Sequence, residues 1–411
     1  MPAPLEKPAI YNIFRKYVKT SGKYYFMGRK NIVILGSSGS IGENAIKVIE
    51  HLPKELRLFG VAAKSSCRRL AEQARKSGAK FAAIYDDSHH ENLRKMLPPG
   101  CKCLSGREGL IELATHPSVD MVLCAIVGIE GLFPVLAAIR AGKDVAIASK
   151  EVLVVAGEIV MGEVRRHKVN LIPVDSEHCA VSQCLEGRKH LEIGRIILTA
   201  SGGPFKGMKR KELASVTYKS ALKHPTWEMG PKVTIDSATM MNKSLEVIEA
   251  RWLFDIAPEK IDVVIHPQSV VHSMVEFIDG TVLAQMSSPD MRYPIQRALT
   301  FPVRHRGMVK PLDFAKLAEL SFEAPDRENF PSLDFAYEAL KRGGTMPAVM
   351  NAANEIAVER FRLGEIRFPD IWSIIEKTMY SHNELDHPCL DAILKADLEA
   401  RGFASGLKLK R

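Results

Sequence analysis

Residues Val174–His178 read Val-Asp-Ser-Glu-His and close an apolar run that begins at Asn170. If that run is a strand, its side chains alternate with period two, so Asp175 and Glu177 share one side and Ser176 is free as the chain turns. A second chemical group stands at Asp236–Glu246, Asp-Ser-Ala-Thr-Met-Met-Asn-Lys-Ser-Leu-Glu. Asn242, Glu246 and Glu249 fall at i, i+4 and i+7, one face of a helix. Ser237 and Lys243 lie near the start of that helix, where a hydroxyl, an ammonium and the helix dipole favour a phosphate. Asp175, Glu177 and Glu246 together offer only oxygen, which suits Mg²⁺ or Mn²⁺; a zinc site would bring His or Cys. Taken singly, each acid reads more simply as an exposed or salt-bridged carboxylate.

A third group is the loop Gly36-Ser37-Ser38-Gly39-Ser40-Ile41-Gly42, placed between a β-branched run, Asn31–Leu35, and a helical pattern through Ala45, Ile46 and Ile49. Its spacing is GxxGxxG rather than GxGxxG. The physics is the same, because small residues let the backbone approach a pyrophosphate at a helix N-terminus. The second strand, Leu56–Ala62, decides which dinucleotide. An NAD site carries an acid about 20 residues on, for the ribose 2′-hydroxyl. Here Ala63-Lys64-Ser65-Ser66 stand there, followed by Arg68 and Arg69. A cation and hydroxyls suit a 2′-phosphate, hence NADPH; the plainer alternative is a solvated basic turn.

The elements that must position these groups alternate. Strand patterns continue at Phe81–Tyr85, Met121–Ile126, Asp144–Ala148 and Asn170–Val174, with helical patterns at Cys67–Lys76 and Leu132–Arg140. This is the signature of a parallel, doubly wound α/β sheet, whose ligands bind at the carboxyl ends of the strands. Beyond residue 190 the strands Arg195–Thr199, Val263–Ile265, Ser273–Phe277 and Val282–Met286 imply a second sheet, with Asp279-Gly280 as a hairpin turn. Residues 201–231, rich in Gly and Pro, read as a mobile lid loop anchored by Trp227. Helical spacing returns from Leu333 to Phe361 and from Ile371 to Tyr380. The expected organisation is a Rossmann-like cofactor domain over 31–175, a second domain over 176–300, a linker over 301–326 and an α-helical domain over 327–411. Residues 1–30 form a basic extension with Glu6 as their lone acid. It has no apolar core of a signal peptide and is expected to be loosely ordered, with residues 1–26 dispensable.

The chain of 411 residues carries a net charge of +9. Its cations are scattered among acids without an aromatic-basic signature, so anionic small molecules are the expected partners, not nucleic acid. No apolar run is long enough to span a bilayer. Seven cysteines without metal-type spacing point to reduced thiols and a cytoplasmic setting.

Seven motifs in order now resemble one family. They are GSSGSIG, ASKE (Ala148–Glu151), VDSEH, SGGPF (Ser201–Phe205), HPTWEMG (His224–Gly230), DSATMMNKSLE and IHPQSVVHSMVEF (Ile265–Phe277). From about Asn31 to its end the chain resembles the 1-deoxy-D-xylulose 5-phosphate reductoisomerases, NADPH-dependent enzymes of the non-mevalonate isoprenoid pathway. The resemblance implies that Asp175, Glu177 and Glu246 hold Mg²⁺ or Mn²⁺. It implies that Lys150, Ser176, Asn242 and Lys243 hold the substrate's hydroxyls and phosphate, with Ser201, His224 and Ser237 completing the phosphate cradle. Trp227 would close over the substrate. Ser149, Glu151, Met229 and Gly230 would join the glycine loop and Ala63-Lys64-Ser65 around NADPH, and a homodimer is implied, with 176–300 as the catalytic and dimerisation domain. His178 and His272 resemble histidines near the site. Ser38, Ser65 and Ser149 stand where Thr, Asn and Asn are common, which shortens the last two contacts. The product would be 2-C-methyl-D-erythritol 4-phosphate, by either a retro-aldol/aldol route or an α-ketol shift. A semialdehyde dehydrogenase-type enzyme would instead need a nucleophilic cysteine, and Cys179 and Cys184 fall in a helical pattern.

Overall fold

A computed structural model describes residues 17–20, 23–26, 28–227 and 229–409. Their backbone divides into two compact units. The first comprises the described part of Met1–Val152, Val160–Cys179 and Asp290–Pro311; the second comprises Leu153–Ile159, Ala180–Pro289 and the described part of Leu312–Arg411.

The first unit is built on seven parallel strands: β3 (Lys30–Leu35), β4 (Leu56–Ala63), β5 (Phe81–Ile84), β6 (Lys102–Ser105), β7 (Met121–Cys124), β8 (Asp144–Ile147) and β9 (Leu171–Pro173). Before them, β1 (Tyr17–Thr20) and β2 (Lys23–Phe26) pair antiparallel within the basic extension; residues 1–16 lie outside the described residues. The sheet order is β6-β5-β4-β3-β7-β8-β9, so the chain winds outward from β3, returns beside it as β7 and winds out the other way. The switch between β3 and β7, where Leu35 pairs with Cys124, is where such sheets bind ligands. Ile32, Ile34, Val61, Ala82 and Leu123 are fully buried, as expected of strands covered on both faces. Helix Ser40–His51 adds Ala45, Val48 and Ile49 to the same core, and helix Arg292–Thr300 adds Ile295, Ala298 and Leu299. Lys30 ties that late helix to the sheet: its buried ammonium donates to Phe301 O at 2.8 Å and Leu299 O at 3.3 Å, carbonyls left open at the helix C-terminus.

The second unit holds a four-stranded sheet of order β11-β10-β12-β13, formed by β10 (Ile193–Ala200), β11 (Ile261–Ile265), β12 (Val271–Phe277) and β13 (Val282–Met286). Gly280 takes a φ of +81° in the β12–β13 turn, where Asp279 Oδ1 accepts from Thr281 N at 2.9 Å. Helices Ser332–Arg342, Met346–Arg362, Asp370–Ser381 and Leu390–Gly406 form the C-terminal region, with Trp372 fully buried among them. The α/β class with a Rossmann-like first sheet, a second sheet and a helical C-terminal region is therefore the one expected.

Several local expectations give way. The opening strand stops at Pro173, and Ser176–Cys184 is a helix, with Asp175 O accepting from Cys179 N at 2.8 Å. Asp175 and Glu177 are therefore not strand neighbours sharing a side; Asp175 stands at a helix N-terminus and Glu177 lies in its first turn. Residues 201–231 contain two short helices, Arg210–Leu213 and Tyr218–Ala221. The helix expected to run from Ser237 past Glu249 is broken at Met240, whose φ is +67°, into Pro231–Thr239 and Met241–Phe254. Gly343 and Gly344, with φ of +69° and +53°, likewise split the stretch from Leu333 to Phe361. In the segment read as a linker, Phe314–Leu317 is helical and Glu323 bridges to Ile265.

Candidate active site

In the first unit the glycine loop sits at the switch point. Gly36 takes a φ of +88°, and a Cβ there would stand 2.4 Å from Ala125 O; one on Gly42 would stand 2.4 Å from Ser37 Cα. Only glycine at both positions lets the loop fold tightly against the sheet and the helix begin at once. Helix Ser40–His51 has no side-chain cap on Gly39, so its first amides are open to an anion. Ser37 plays another part. It is fully buried, its amide donates to Ala62 O at 2.8 Å and its hydroxyl to Gln73 Oε1 at 2.7 Å, so it braces the loop.

After β4, Ala63 is buried while Lys64, Ser65 and Ser66 are exposed. A cavity of about 590 Å³ opens there, lined by Ser65, Ser66, Arg68, Arg69, His89 and Asn92 among others. Arg69 is oriented by Glu43, which accepts from its Nε at 2.7 Å. His89 and Asn92 come from the segment between β5 and β6, which sequence reasoning did not connect to this turn. Across the switch, the buried Ser149 donates from Oγ to Ile126 O at 2.5 Å and fixes the loop after β7. Beside it Lys150 and Glu151 begin the helix Lys150–His167 and are buried. Lys150 Nζ lies 2.6 Å from Asp175 Oδ2, and Ser176 Oγ donates to Glu177 Oε2 at 2.6 Å. His178 follows, fully buried.

In the second unit the hydroxyls of Ser201 and Ser237 converge on one histidine. His224 Nδ1 accepts from Thr226 N at 3.1 Å and Trp227 N at 2.9 Å. The proton of the neutral ring is therefore on Nε2, which lies 3.1 Å from Ser201 Oγ and 3.1 Å from Ser237 Oγ. Burial holds the imidazole pKa below its ordinary value and favours this neutral form. Gly203, with φ of +69°, packs so closely that a Cβ would stand 2.7 Å from Ser237 O. Beyond the break at Met240, Glu246 is 1% exposed, accepts from Asn242 Nδ2 at 2.6 Å and is ion-paired with the buried Lys243. Glu249, one turn on, is equally buried. Trp227 is half-buried, its ring centroid 6.2 Å from that of His272, whose Nε2 meets Ser287 Oγ at 2.8 Å. Met229 is half-buried and Gly230 caps the helix Pro231–Thr239. Asp175, Ser176 and Glu177 thus belong to the first unit, and Ser201, His224, Ser237, Asn242, Lys243 and Glu246 to the second.

Burial raises the Cys124 thiol and pushes Cys184 up to about 11, which disfavours both as thiolate nucleophiles.

A glycine loop at the switch of a doubly wound sheet, with no acid after the second strand, defines a dinucleotide-dependent α/β enzyme. The chain belongs to the 1-deoxy-D-xylulose 5-phosphate reductoisomerase family. The family's model matches residues 32–157, its C-terminal domain model matches 171–254, and the DXP reductoisomerase C-terminal domain matches 286–403. The reductoisomerase of Caldanaerobacter subterraneus subsp. tengcongensis is 50% identical over 373 residues, 90% of this chain and 97% of that protein. That of Symbiobacterium thermophilum is 51% identical over 381 residues, 92% and 98%. The Zymomonas mobilis enzyme in complex with NADPH superposes with a TM-score of 0.86 at 44% identity, over 92% of this chain and 98% of that one. A DOX-P reductoisomerase in complex with NADPH, fosmidomycin and magnesium gives 0.86 at 39% identity, over 92% and 97%.

Proposed function

We propose that this chain is an NADPH- and Mg²⁺-dependent reductoisomerase that converts 1-deoxy-D-xylulose 5-phosphate to 2-C-methyl-D-erythritol 4-phosphate, with the residue roles set out below. The observation that carries the assignment is the neutral His224 aimed at Ser201 and Ser237, since a phosphate is the ligand that three such donors would hold.

NADPH fits the first unit on three grounds: the cradle that a Cβ on Gly36 or Gly42 would fill, the uncapped amides at Ser40 and Ile41, and the acid-free turn after β4. The backbone of Gly36, Ser38, Gly39, Ser40, Ile41 and Gly42 would take the pyrophosphate, with Ser37 bracing it. Ala63, Lys64 and Ser65 would take the 2′-phosphate end, and Ser149, Glu151, Met229 and Gly230 the nicotinamide end. The donor chemistry suits a hard cation: Asp175, Glu177 and Glu246 offer only carboxylate oxygen, and Asp175 and Glu246 each already hold a positive partner, Lys150 and Lys243, within their own unit. When bound, the cation supplies Lewis acidity at the substrate's ketone and adjacent hydroxyl, and the nicotinamide supplies the hydride. Ser176 and Lys150 orient the substrate's hydroxyls, and Lys150 adds positive charge where an alkoxide develops. Asn242 and Lys243 join His224 and the serines on the phosphate. Trp227 covers the substrate and excludes water. The test is NADPH oxidation with 1-deoxy-D-xylulose 5-phosphate, with Mg²⁺ or Mn²⁺ and then with excess chelator. Turnover should need the substrate and either cation; full activity in chelator overturns the reading.

A homodimer is favoured by β13, the outermost strand of the second sheet. Among the described residues its outer edge pairs with no strand, and nearby Val282 is 44% and Ile278 72% exposed. A second copy would cover such an edge; a monomer by sedimentation equilibrium at working concentrations would count against it. A cytoplasmic setting is supported by the seven cysteines, none of which forms a disulfide among the described residues. No described helix is long and apolar enough to cross a membrane.

A further inference from the structure

The C-terminal helices grip the short helix Pro231–Thr239 in a way that packing alone does not require. Asp236, 1% exposed, accepts a hydrogen bond at 3.0 Å from Nδ2 of Asn354, which is fully buried in the helix Met346–Arg362. The other carboxylate oxygen of Asp236 lies 2.6 Å from Lys232 Nζ, one turn back on its own helix. At the end of that helix, Thr239 O accepts from Ser332 Oγ at 2.6 Å and from Trp372 Nε1 at 3.3 Å. Two further C-terminal helices therefore hold the same short element. Ser237, the residue after Asp236, presents its hydroxyl to His224 at 3.1 Å.

We propose that Asn354 is a positioning residue, which fixes the rotation of the helix Pro231–Thr239 through Asp236 and so holds Ser237 on the substrate phosphate. This rests on the phosphate-cradle reading given above. Two considerations favour positioning over stability. A buried carboxylate held by an ammonium and a neutral amide seldom stabilises more than apolar residues of the same volume would. Asn354 Oδ1 also has no hydrogen-bond partner among the described residues, so this amide adds a desolvation penalty that a packing residue would avoid. What the pair does supply is direction. A helical side-chain oxygen lies about 5 Å from its axis, so a rotation of roughly 20° moves it by roughly 1.7 Å. That is enough to lose a hydrogen bond to a phosphate oxygen.

The experiment compares steady-state kinetics of Asn354→Leu, Asp236→Asn and Ser237→Ala, each with its melting temperature. Asn354→Leu should raise KM for 1-deoxy-D-xylulose 5-phosphate about tenfold or more, with kcat within about threefold and KM for NADPH unchanged. Asp236→Asn keeps an oxygen for Asn354 Nδ2 but loses the ion pair with Lys232, so it should raise the substrate KM less than Asn354→Leu does; a rise as large would assign the orientation to Lys232 rather than Asn354 and overturn the proposal. A merely structural role would instead lower the melting temperature and leave both KM values in place. Should Asn354→Leu not fold, Asn354→Ser removes the same contact at smaller volume change and is read identically. Ser237→Ala separates the two claims. If it leaves the substrate KM unchanged, the cradle reading fails; if it raises KM while Asn354→Leu and Asn354→Ser do not, the positioning proposal alone fails.

Discussion

Lys150 Nζ lies 2.6 Å from Asp175 Oδ2, with side chains only 9% and 17% exposed. Each residue stands where a strand of the parallel sheet gives way to a helix, β8 to Lys150–His167 and β9 to Ser176–Cys184. The pair balances a carboxylate that would otherwise be buried with an uncompensated charge. Removing the ammonium, as in Lys150→Met, should cost about 3–5 kcal/mol of stability. Mg²⁺ should restore part of that loss by placing positive charge on Asp175 again. Thermal melts with Mg²⁺ and with chelator check this; a melting temperature insensitive to Mg²⁺ in the variant would argue against Asp175 as a ligand.

With Glu246 as a ligand of the cation, as proposed, Glu246→Gln should remove that charge while keeping the bond with Asn242. Turnover should fall by at least about 100-fold, or roughly 2.7 kcal/mol, while NADPH affinity measured by fluorescence titration stays unchanged. Loss of NADPH binding instead would mean that Glu246 acts outside the substrate half of the enzyme.

The acid limb of the stability curve should carry a signature of His224. Its folded pKa lies below the ordinary 6.5 because burial penalises the charged ring. As the pH falls through the unfolded value of 6.5, the unfolded chain binds the proton first, so the unfolded state is favoured and stability declines. Above that pH the contribution is constant. His224→Asn should flatten this part of the curve and raise the substrate KM; a variant whose stability falls as steeply as the parent's below pH 6.5 would remove His224 from the account.

Lys64→Asp should reverse or shrink the preference for NADPH over NADH. The substitution puts an acid after β4, where the 2′-hydroxyl of NADH would be bound and a 2′-phosphate repelled. The measure is the ratio of kcat/KM for the two cofactors. Equal values for both cofactors in the unaltered enzyme would show that this turn does not select.

Trp227 is half-buried beside His272, on a segment with little regular structure. As a closing residue, Trp227→Ala should lower kcat/KM by about tenfold to a hundredfold, or about 1.4–2.8 kcal/mol, with little change in melting temperature. A core tryptophan would instead cost about 3–5 kcal/mol of folding stability with near-normal kinetics.

The parts of the molecule that could be read from sequence are those with a repeating pattern. GSSGSIG between an apolar run and a helical one was enough to locate the switch point. Apolar alternation beyond it was enough to give a parallel sheet. β6, with the sequence Lys-Cys-Leu-Ser, was missed because it is an edge strand with a single buried side chain, Leu104. Arg292–Thr300 was missed because Pro294 and its polar residues mask a short apolar face at Ile295, Ala298 and Leu299. The register of Asp175 and Glu177 was misread by carrying strand alternation past Pro173. The available signal was Asp175 itself, a residue type that commonly begins helices. That Ser37 braces the glycine loop was not legible, because its partner Gln73 lies on the next helix and nothing local announces it. Asn354 and Asp236 are 118 residues apart, and no spacing rule links them.

Met240 carries a consequence for charge. A methionine with φ of +67° is no routine helix end, and it turns what would be one rod into two helices, Pro231–Thr239 and Met241–Phe254. A single rod has one positive pole; the divided segment has two, and each leaves its first amides without intrahelical acceptors. The second pole begins at Met241, next to Asn242 and Lys243, and no acid occupies its first turn. The same backbone break that interrupts the helix thus places fixed partial charge beside the proposed phosphate residues Asn242 and Lys243, and that charge cannot be titrated away at any pH.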